Sequence, residues 1–528
     1  MKHLWKSLQM VCRCDRGSFW RRTLYVLLGS LLPLANLFLL KRLVDAVSAG
    51  EGAFLPWLLA MCGVFLLQRV VSILDGVNSD VLSQRLIDHV NQAIQSQAAR
   101  LDMAYYDNPS YHDTLHRAQQ EASSRPVQVF SSIMSLFASA VTIVGIVVIL
   151  ASASWWVLPV MFVAVVPSFV VRLSKSRIVY RFRRQNTPLF RLSSYLAAVL
   201  TRREYAKELR AFRAESFFRS RYTRTRSRLT SRIVAISRRL GAYSLLCAVV
   251  EAAAMLLVVA LLAARTASGI FSVGIFVMLF EAFRRGLGAL TSLVASLSSL
   301  YDNRLFLSNL FEFLSLEPTV VSPPDPLPVP SDISSIQFCD VVFRYPGMER
   351  DVLSHFNFTA RRGEITPLEG HNGIGKSTVI NLLLRFYDPQ QGRILLNGTD
   401  IRRFDLHSLR ASMSVLFQDF GRYFITVDEN ITLSDRPHTS HIADPLLSFV
   451  PSLPKGYDSP LGRLFDQGSE LSMGQWQRLA IARALDSPAP LLLLDEPAAW
   501  LDADSRQTLL SILEAEKTNR IIILITHR

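Results

Sequence analysis

Six apolar runs occupy the first half of the chain: residues 23–40, 54–67, 130–151, 155–171, 243–264 and 270 to about 290. With its flanks, each can cross the ~30 Å hydrocarbon layer of a bilayer as a helix. The connections joining the first run to the second, the third to the fourth and the fifth to the sixth are short. They hold almost no Lys or Arg, Arg265 being the exception. The other two connections are long and basic. Residues 172–239 carry 20 Lys/Arg against three acids, Glu204, Glu208 and Glu215. Basic loops stay on the cytoplasmic side, so the pattern predicts six spans with both termini inside. Each long connection reads as two helices continuing out of the membrane, with a break near its middle. The breaks fall at Tyr106-Asp107-Asn108-Pro109 and Thr201-Arg202-Arg203-Glu204. A short helix at such a tip either docks on a partner domain or is a solvated connector.

The pattern changes after residue 317. Six prolines fall between 318 and 330, a run that neither extends a helix nor joins a sheet and reads as an extended spacer. Beyond it, Ile336-Gln337-Phe338-Cys339-Asp340-Val341 alternates as a half-buried strand does. Residues 491–494 and 521–525 are unbroken apolar runs, as expected of parallel strands covered on both faces.

Composition narrows the classes. Half of the 528 residues are hydrophobic and the mean hydropathy is +0.25, too apolar for an ordinary soluble enzyme. A net charge of +14 would suit nucleic acid or a membrane surface. Its concentration between apolar runs assigns it to cytoplasmic loops, and no nucleic-acid partner is expected. The five cysteines are scattered, and Cys12-x-Cys14 has no second pair or nearby His cluster; this is neither a zinc site nor a disulfide framework. The first apolar run is too long for a signal peptide, and no small-residue cleavage site follows it. Glu251, Glu281 and Arg284 lie inside apolar runs, where charge faces a cavity or a partner. Glu281 and Arg284 can pair on one helix face or face a substrate. Glu251 has no local partner and is the stronger cavity candidate.

The chemistry is concentrated in Gly370-His371-Asn372-Gly373-Ile374-Gly375-Lys376-Ser377, which fits G-x-x-x-x-G-K-[ST] at every fixed position. An apolar run precedes it and an amphipathic one, STVINLLLRF, follows, so strand, loop and helix N-terminus are in the order that binds phosphate. Lys376 would reach the β/γ-phosphates and the Ser377 hydroxyl would ligand Mg²⁺. Asp495-Glu496 closes the apolar run 491–494. An Asp there can hold Mg²⁺ through water, and the Glu beside it can polarise an attacking water. Tyr345, upstream of the loop, can stack on adenine or serve as a core tyrosine. His527, after the second apolar run, can touch a γ-phosphate or be structural. The predicted fold class is therefore multi-domain: an all-α six-helix transmembrane domain followed by an α/β P-loop nucleotide-binding domain. Its expected parts are a cytoplasmic segment (1–22), a membrane domain (23–316), a linker (317–332) and a nucleotide-binding domain (333–528).

These residues resemble an ATP-binding cassette (ABC) exporter half-transporter over essentially the whole chain. The resemblance implies that Tyr345 is the adenine-stacking aromatic and that Gly370 to Thr378 is the phosphate loop. It implies that Gln418 senses Mg²⁺ and the membrane domain, and that Val427-Asp428-Glu429-Asn430-Ile431 is the exporter-type V-x-E-N-I segment. Leu471-Ser472-Met473-Gly474-Gln475 matches the LSGGQ signature, whose Ser472, Gly474 and Gln475 would cover the ATP held by another chain. Asp495 would hold Mg²⁺, Glu496 would be the catalytic carboxylate, His527 the switch histidine, and Asp502 would lie in the dimer-interface loop. The two loop breaks become coupling helices, with Asp107, Tyr111, Arg203 and Glu204 at the interface. ATP and Mg²⁺ are the implied cofactors. The implied partners are a second half-transporter, identical or different, the lipid bilayer and a transported substrate. The run GRLFDQGSELSMGQWQRLAIARAL further resembles exporters of bacteriocin-type or lantibiotic peptides, against drug or lipid export.

Four residues depart from the family pattern. Met473 replaces a signature glycine, and Trp500 stands where a small residue is usual. Pro367 is expected to delete a donor from a buried strand, and Glu369 adds charge beside the loop. On the resemblance, two further strands and a helix would follow Arg528; without them the strand of His527 is expected to become a frayed terminus and part of the sheet to lack its neighbours. The competing expectation is thus an ATP-binding but poorly hydrolysing half of a heterodimer, or a truncated remnant.

Overall fold

A computed structural model describes residues 2–50, 54–107, 115, 125–370, 375–463 and 467–526. The chain divides into two compact units, residues 1–99 with 113–316 and residues 100–112 with 317–528.

The first unit is helical. Its elements are α1 (Lys2–Cys14), α2 (Arg16–Ser48), α3 (Leu55–Arg100), α5 (Arg125–Ser154), α6 (Val157–Gln185), α7 (Thr187–Thr201), α8 (Arg203–Ala211), α9 (Glu215–Ala267) and α10 (Val273–Leu314); α4 (Met103–Tyr106) falls in the second unit. At 46 and 53 residues, α3 and α9 run for about 70 and 80 Å, more than twice the hydrocarbon thickness. Spans and the extensions beyond them are thus single rods. Leu37, Ile146, Leu150, Met161, Val258, Leu279 and Phe283 form the interior. In contrast, α9 exposes Leu245, Leu246, Val249 and Leu256, a surface that only lipid tails or a partner would match.

Among the described residues, five helices are long and apolar enough to cross a membrane: α2, α3, α5, residues 157–179 of α6, and α9. The sixth expected run opens α10. That helix is long enough at 42 residues, but Glu281, Arg284 and Arg285 interrupt its apolar stretch, so charge and not length sets it apart. The break expected at Thr201–Glu204 is present: Arg202 is extended (φ −83°, ψ 144°) between α7 and α8. A further break at Asn186 was not expected; Pro188 in the first turn of α7 has no N–H to continue the ladder from α6.

Among its described residues the second unit holds two sheets. One is antiparallel, in the order β2 (Leu353–Arg361), β1 (Ser335–Phe343), β4 (Gln391–Leu396), β5 (Thr399–Asp400). The other is parallel, in the order β3 (Ile365–Glu369), β8 (Ile521–Thr526), β7 (Leu491–Asp495), β6 (Met413–Leu416). Successive side chains of a strand point to opposite faces. Accordingly Leu491, Leu493, Ile521 and Ile523 enter one core, while Leu492, Leu494 and Ile522 enter the other. Besides α4, the α-helices of this unit among the described residues are α11 (Lys376–Leu383), α12 (Leu406–Ala411), α13 (Val427–Thr432), α14 (Met473–Asp486) and α15 (Ala503–Glu516).

β8 lies between β3 and β7, with Ile521, Ile522 and Ile523 fully buried. One expectation about this sheet is corrected: Pro367 is not in a buried position. Among the described residues β3 pairs only with β8, and Pro367 is exposed, an edge position at which a missing donor is tolerated.

Candidate functional site

The phosphate loop leaves β3 at Gly370. His371, Asn372, Gly373 and Ile374 lie outside the described residues, as do Tyr111 and His527. The chain re-enters at Gly375, the N-cap of α11, with φ +97°. A Cβ at this position would stand 2.9 Å from Leu353 Cδ2 and 3.0 Å from Val352 Cγ1, so the turn admits only glycine. Lys376 follows and is buried. Its Nζ donates to the carbonyl oxygens of Gly370, at 2.7 Å, and Thr526, at 3.3 Å. A buried ammonium beside a helix N-terminus and a side-chain-free turn is a cradle suited to an anion.

The Ser377 hydroxyl donates to Asp495 Oδ2 at 2.8 Å. Asp495 ends β7 and is 3 % exposed. A hydroxyl and a carboxylate in contact are oxygen donors of the kind a hard dication takes, so the residues present fit Mg²⁺. Glu496 follows with φ +51°, an uncommon conformation for a side-chain-bearing residue. Its N–H donates to the Ile525 carbonyl at 3.1 Å, and its Oε1 accepts from Gln418 Nε2 at 3.1 Å. Gln477, which sequence reasoning missed, sits behind it. Gln477 Nε2 donates to the carbonyls of Glu496 (3.1 Å) and Pro497 (2.7 Å), and its Oε1 accepts from the Trp500 N–H at 2.8 Å. The only signal for Gln477 was a polar residue on the buried face of an amphipathic helix.

Tyr345 is half-buried. Its ring meets Phe343 at 4.9 Å and Tyr387 at 5.2 Å, both edge-on, and its hydroxyl lies 3.1 Å from Thr378 Oγ1 and from Asn381 Nδ2. It also lines a cleft of about 490 Å³ with Arg344, Met348 and Gln390. Both open readings of this residue therefore have support: it packs on the core and it borders a cleft.

At the signature, Ser472 is the N-cap of α14. Its Oγ accepts from the Gln475 N–H at 3.3 Å, while Gln475 Oε1 accepts from the Ser472 N–H at 2.8 Å. This reciprocal capping box fixes the helix entrance. Met473 occupies the first helical position, its sulfur 3.3 Å from Arg422 Nη2; no left-handed backbone is required of it, so methionine fits. Gly474 is constrained, because a Cβ there would meet the Trp500 carbonyl oxygen at 2.8 Å. Asp502 caps α15 through the Ser505 N–H at 2.8 Å. Hydrogen bonds from the Ser505 side chain and backbone hold its carboxyl below the usual carboxylate range.

The sequence matches the family described as ABC transporter over residues 353–499 and that described as ABC transporter transmembrane region over residues 23–287, half of the chain. The chain belongs to the ABC transporter family. It is an exporter half-transporter, with a membrane domain fused to an ATP-binding cassette. It is similar to the subtilin transport ATP-binding protein SpaT of Bacillus subtilis, 26 % identical over 100 % of this chain and 88 % of that protein. It is also similar to the ATP-dependent lipid A-core flippase of Thiobacillus denitrificans, 27 % identical over 96 % and 89 %. The structure of a bacterial Atm1-family ABC exporter with ATP bound shares the fold, with a TM-score of 0.82 at 24 % identity over 97 % and 91 % of the two chains.

In this half-transporter the segment from Arg100 to Asp107 belongs to the same compact unit as the cassette. The Asp102 carboxylate accepts from the Thr319 hydroxyl at 2.8 Å and from the Val320 N–H at 3.1 Å. The Tyr387 hydroxyl donates to Asp107. Burial and the Asp107 carboxylate push the Tyr387 phenol pKa up, which keeps that donor protonated. Since Tyr387 also touches Tyr345, a chain of contacts runs from Asp107 to Thr378, beside Ser377. Arg203 and Glu204 form the exposed first turn of α8.

In the membrane domain, Glu251 does have a partner: the Ser168 hydroxyl donates to its Oε1 at 2.5 Å. Glu281 accepts from Arg284 Nη2 at 2.6 Å and from Arg285 Nε at 2.9 Å. Arg285, which sequence reading passed over, lines a cleft of about 280 Å³ with Ser135, Ser139, Thr142 and Ser292. Neither glutamate lines that cleft. Along the same two helices, Ser132 and Ser299 bond at 2.8 Å and Ser296 donates to Ser135 at 2.9 Å.

Proposed function

We propose that two such half-transporters, identical or paired with a different one, export a peptide across the cytoplasmic membrane by alternating access driven by cassette dimerisation. The observation that carries the ATP-driven part is the Ser377–Asp495 contact beside the buried Lys376, with Glu496 held by Gln418 at the same sheet edge. In this reading Lys376 binds the phosphates, Ser377 and Asp495 hold Mg²⁺, and Glu496 orients and polarises the attacking water. Bound Mg²⁺ would supply charge neutralisation across the β- and γ-phosphates. Ser472 and Gly474 of one chain would close over the phosphates held by the other, His527 would approach the γ-phosphate, and Tyr345 would carry adenine. Residues 23–316 form the membrane domain, 317–332 the linker and 333–528 the cassette, with both termini cytoplasmic, as the basic loops support.

The peptide assignment rests on the likeness to the subtilin transporter over the full chain and on the polar Ser/Arg285 cleft. The test is reconstitution in vesicles. A lantibiotic-type precursor peptide is expected to raise ATP hydrolysis severalfold and to accumulate in the lumen of inside-out vesicles. Stimulation by lipid A and not by the peptide would replace the peptide reading with lipid flipping. Absence of any turnover would favour the poorly hydrolysing half of a heterodimer.

The Asp107–Tyr387 bond gives a separate prediction. A hydrogen bond to a charged group contributes about 1.5–3 kcal/mol. Tyr387→Phe should therefore loosen the 100–107 segment from the cassette and lower transport about 10-fold, while basal ATP hydrolysis changes less than about twofold. Equal loss of both activities would show that Tyr387 serves the cassette core and not the coupling.

A further inference from the structure

Away from the nucleotide residues, three side chains converge in the stretch between α13 and α14. His438, His441 and Asp444 each offer a ligand atom, all within 4.8 Å of one another. His438 Nε2 is 4.0 Å from Asp444 Oδ1, and His441 Nδ1 is 2.8 Å from Asp444 Oδ2. A tetrahedral zinc with bonds near 2.05 Å spaces its ligand atoms about 3.3 Å apart, between those two separations.

The surroundings orient the ligands. Asp428 on α13 takes the Nδ1 side of the His438 ring and also accepts the His438 backbone N–H at 3.1 Å. With Nδ1–H donated to a carboxylate, the lone pair of His438 resides on Nε2, the nitrogen facing Asp444. This carboxylate–histidine arrangement is the usual outer shell of a metal-bound histidine. Tyr457 covers the His438 ring at 4.5 Å and donates to Asp444 Oδ1 at 3.3 Å. The His438 side chain is 10 % exposed, whereas those of His441 and Asp444 are 77 % and 40 % exposed, which leaves a side open for entry and for a water as fourth ligand.

We propose that His438, His441 and Asp444 form a binding site for a divalent transition metal, zinc foremost, with Asp428 and Tyr457 as its outer shell. Two imidazoles and a carboxylate select a borderline ion over Mg²⁺ or Ca²⁺, which take all-oxygen sets. The ion would tie α13 to the segment that packs on the signature helix α14. An exposed pair, His355 Nδ1 with Asp340 Oδ1 at 2.8 Å, supplies a control, since it lacks a third ligand among the described residues.

The experiment is Zn²⁺ and Co²⁺ binding to the full chain in detergent or nanodiscs, with any affinity tag of histidines removed. One Zn²⁺ per chain is expected, unaffected by millimolar Mg²⁺, with Co²⁺ giving the intense visible absorption of a four-coordinate site. His441→Ala and Asp444→Asn, both at exposed positions, should each lower affinity at least about 10-fold, and Asp428→Asn about 10- to 100-fold. His355→Ala should bind like the unmodified chain. Unchanged binding in both His441→Ala and Asp444→Asn, equal loss in His355→Ala, or no stoichiometric binding overturns the proposal.

Discussion

Glu496→Gln lowers steady-state ATP hydrolysis about 100-fold or more, the usual scale for losing a positioned proton acceptor, and leaves nucleotide binding intact. The geometry supports a selective effect. The backbone at Glu496 is held in its left-handed conformation by Ile525 and Gln477, and neither contact involves the carboxylate. Glutamine preserves shape and can still pair with Gln418, so the fold of the site persists while its charge is lost. ATP-dependent association of the cassettes should persist or strengthen, because the closed state can no longer discharge its nucleotide. Hydrolysis within twofold of the unmodified chain, measured with purified protein in vesicles, would assign the chemistry to another residue.

Gly375→Ala abolishes most nucleotide binding, by about 10- to 100-fold, the equivalent of 1–3 kcal/mol of backbone strain. The two causes are independent. At φ +97° any Cβ is strained, and this one would also press on Leu353 and Val352 at 2.9–3.0 Å. Relief requires the turn to open, which would move the N-terminus of α11 and carry Lys376 and Ser377 out of line with Asp495. The parallel sheet does not depend on the turn, so the variant should retain its thermal stability to within a few degrees in the absence of nucleotide. Normal affinity for a fluorescent ATP analogue would show that the loop tolerates a side chain and that the cradle lies elsewhere.

Much of this molecule is legible without coordinates because the signals are local. Apolar runs of membrane length, basic loops, a proline-rich spacer and strands covered on both faces each follow from a few consecutive residues. The phosphate loop is equally local: glycines and a Lys-Ser pair at fixed spacing between a strand and a helix. What could not be read were partners. Ser377 and Asp495 are 118 positions apart, and nothing in either segment states that they touch. Gln477 reads as one more polar residue on a helix until its amide is seen spanning Glu496, Pro497 and Trp500. The Pro367 expectation went wrong for the same reason: a strand's own residues do not reveal whether it has one neighbour or two.

The sequence by itself determined the membrane-plus-cassette organisation, through apolar runs and the family resemblance of its motifs, and it marked the candidates for phosphate contact, because periodicity and motif spacing act within one element. Only the tertiary structure decided which of those residues meet. It paired Glu251 with Ser168, 83 positions away. It set Tyr387 against Asp107, 280 positions away, and drew His438, His441 and Asp444 together under Asp428. Hydrogen bonds between elements depend on how those elements pack, and packing is a property of the whole chain.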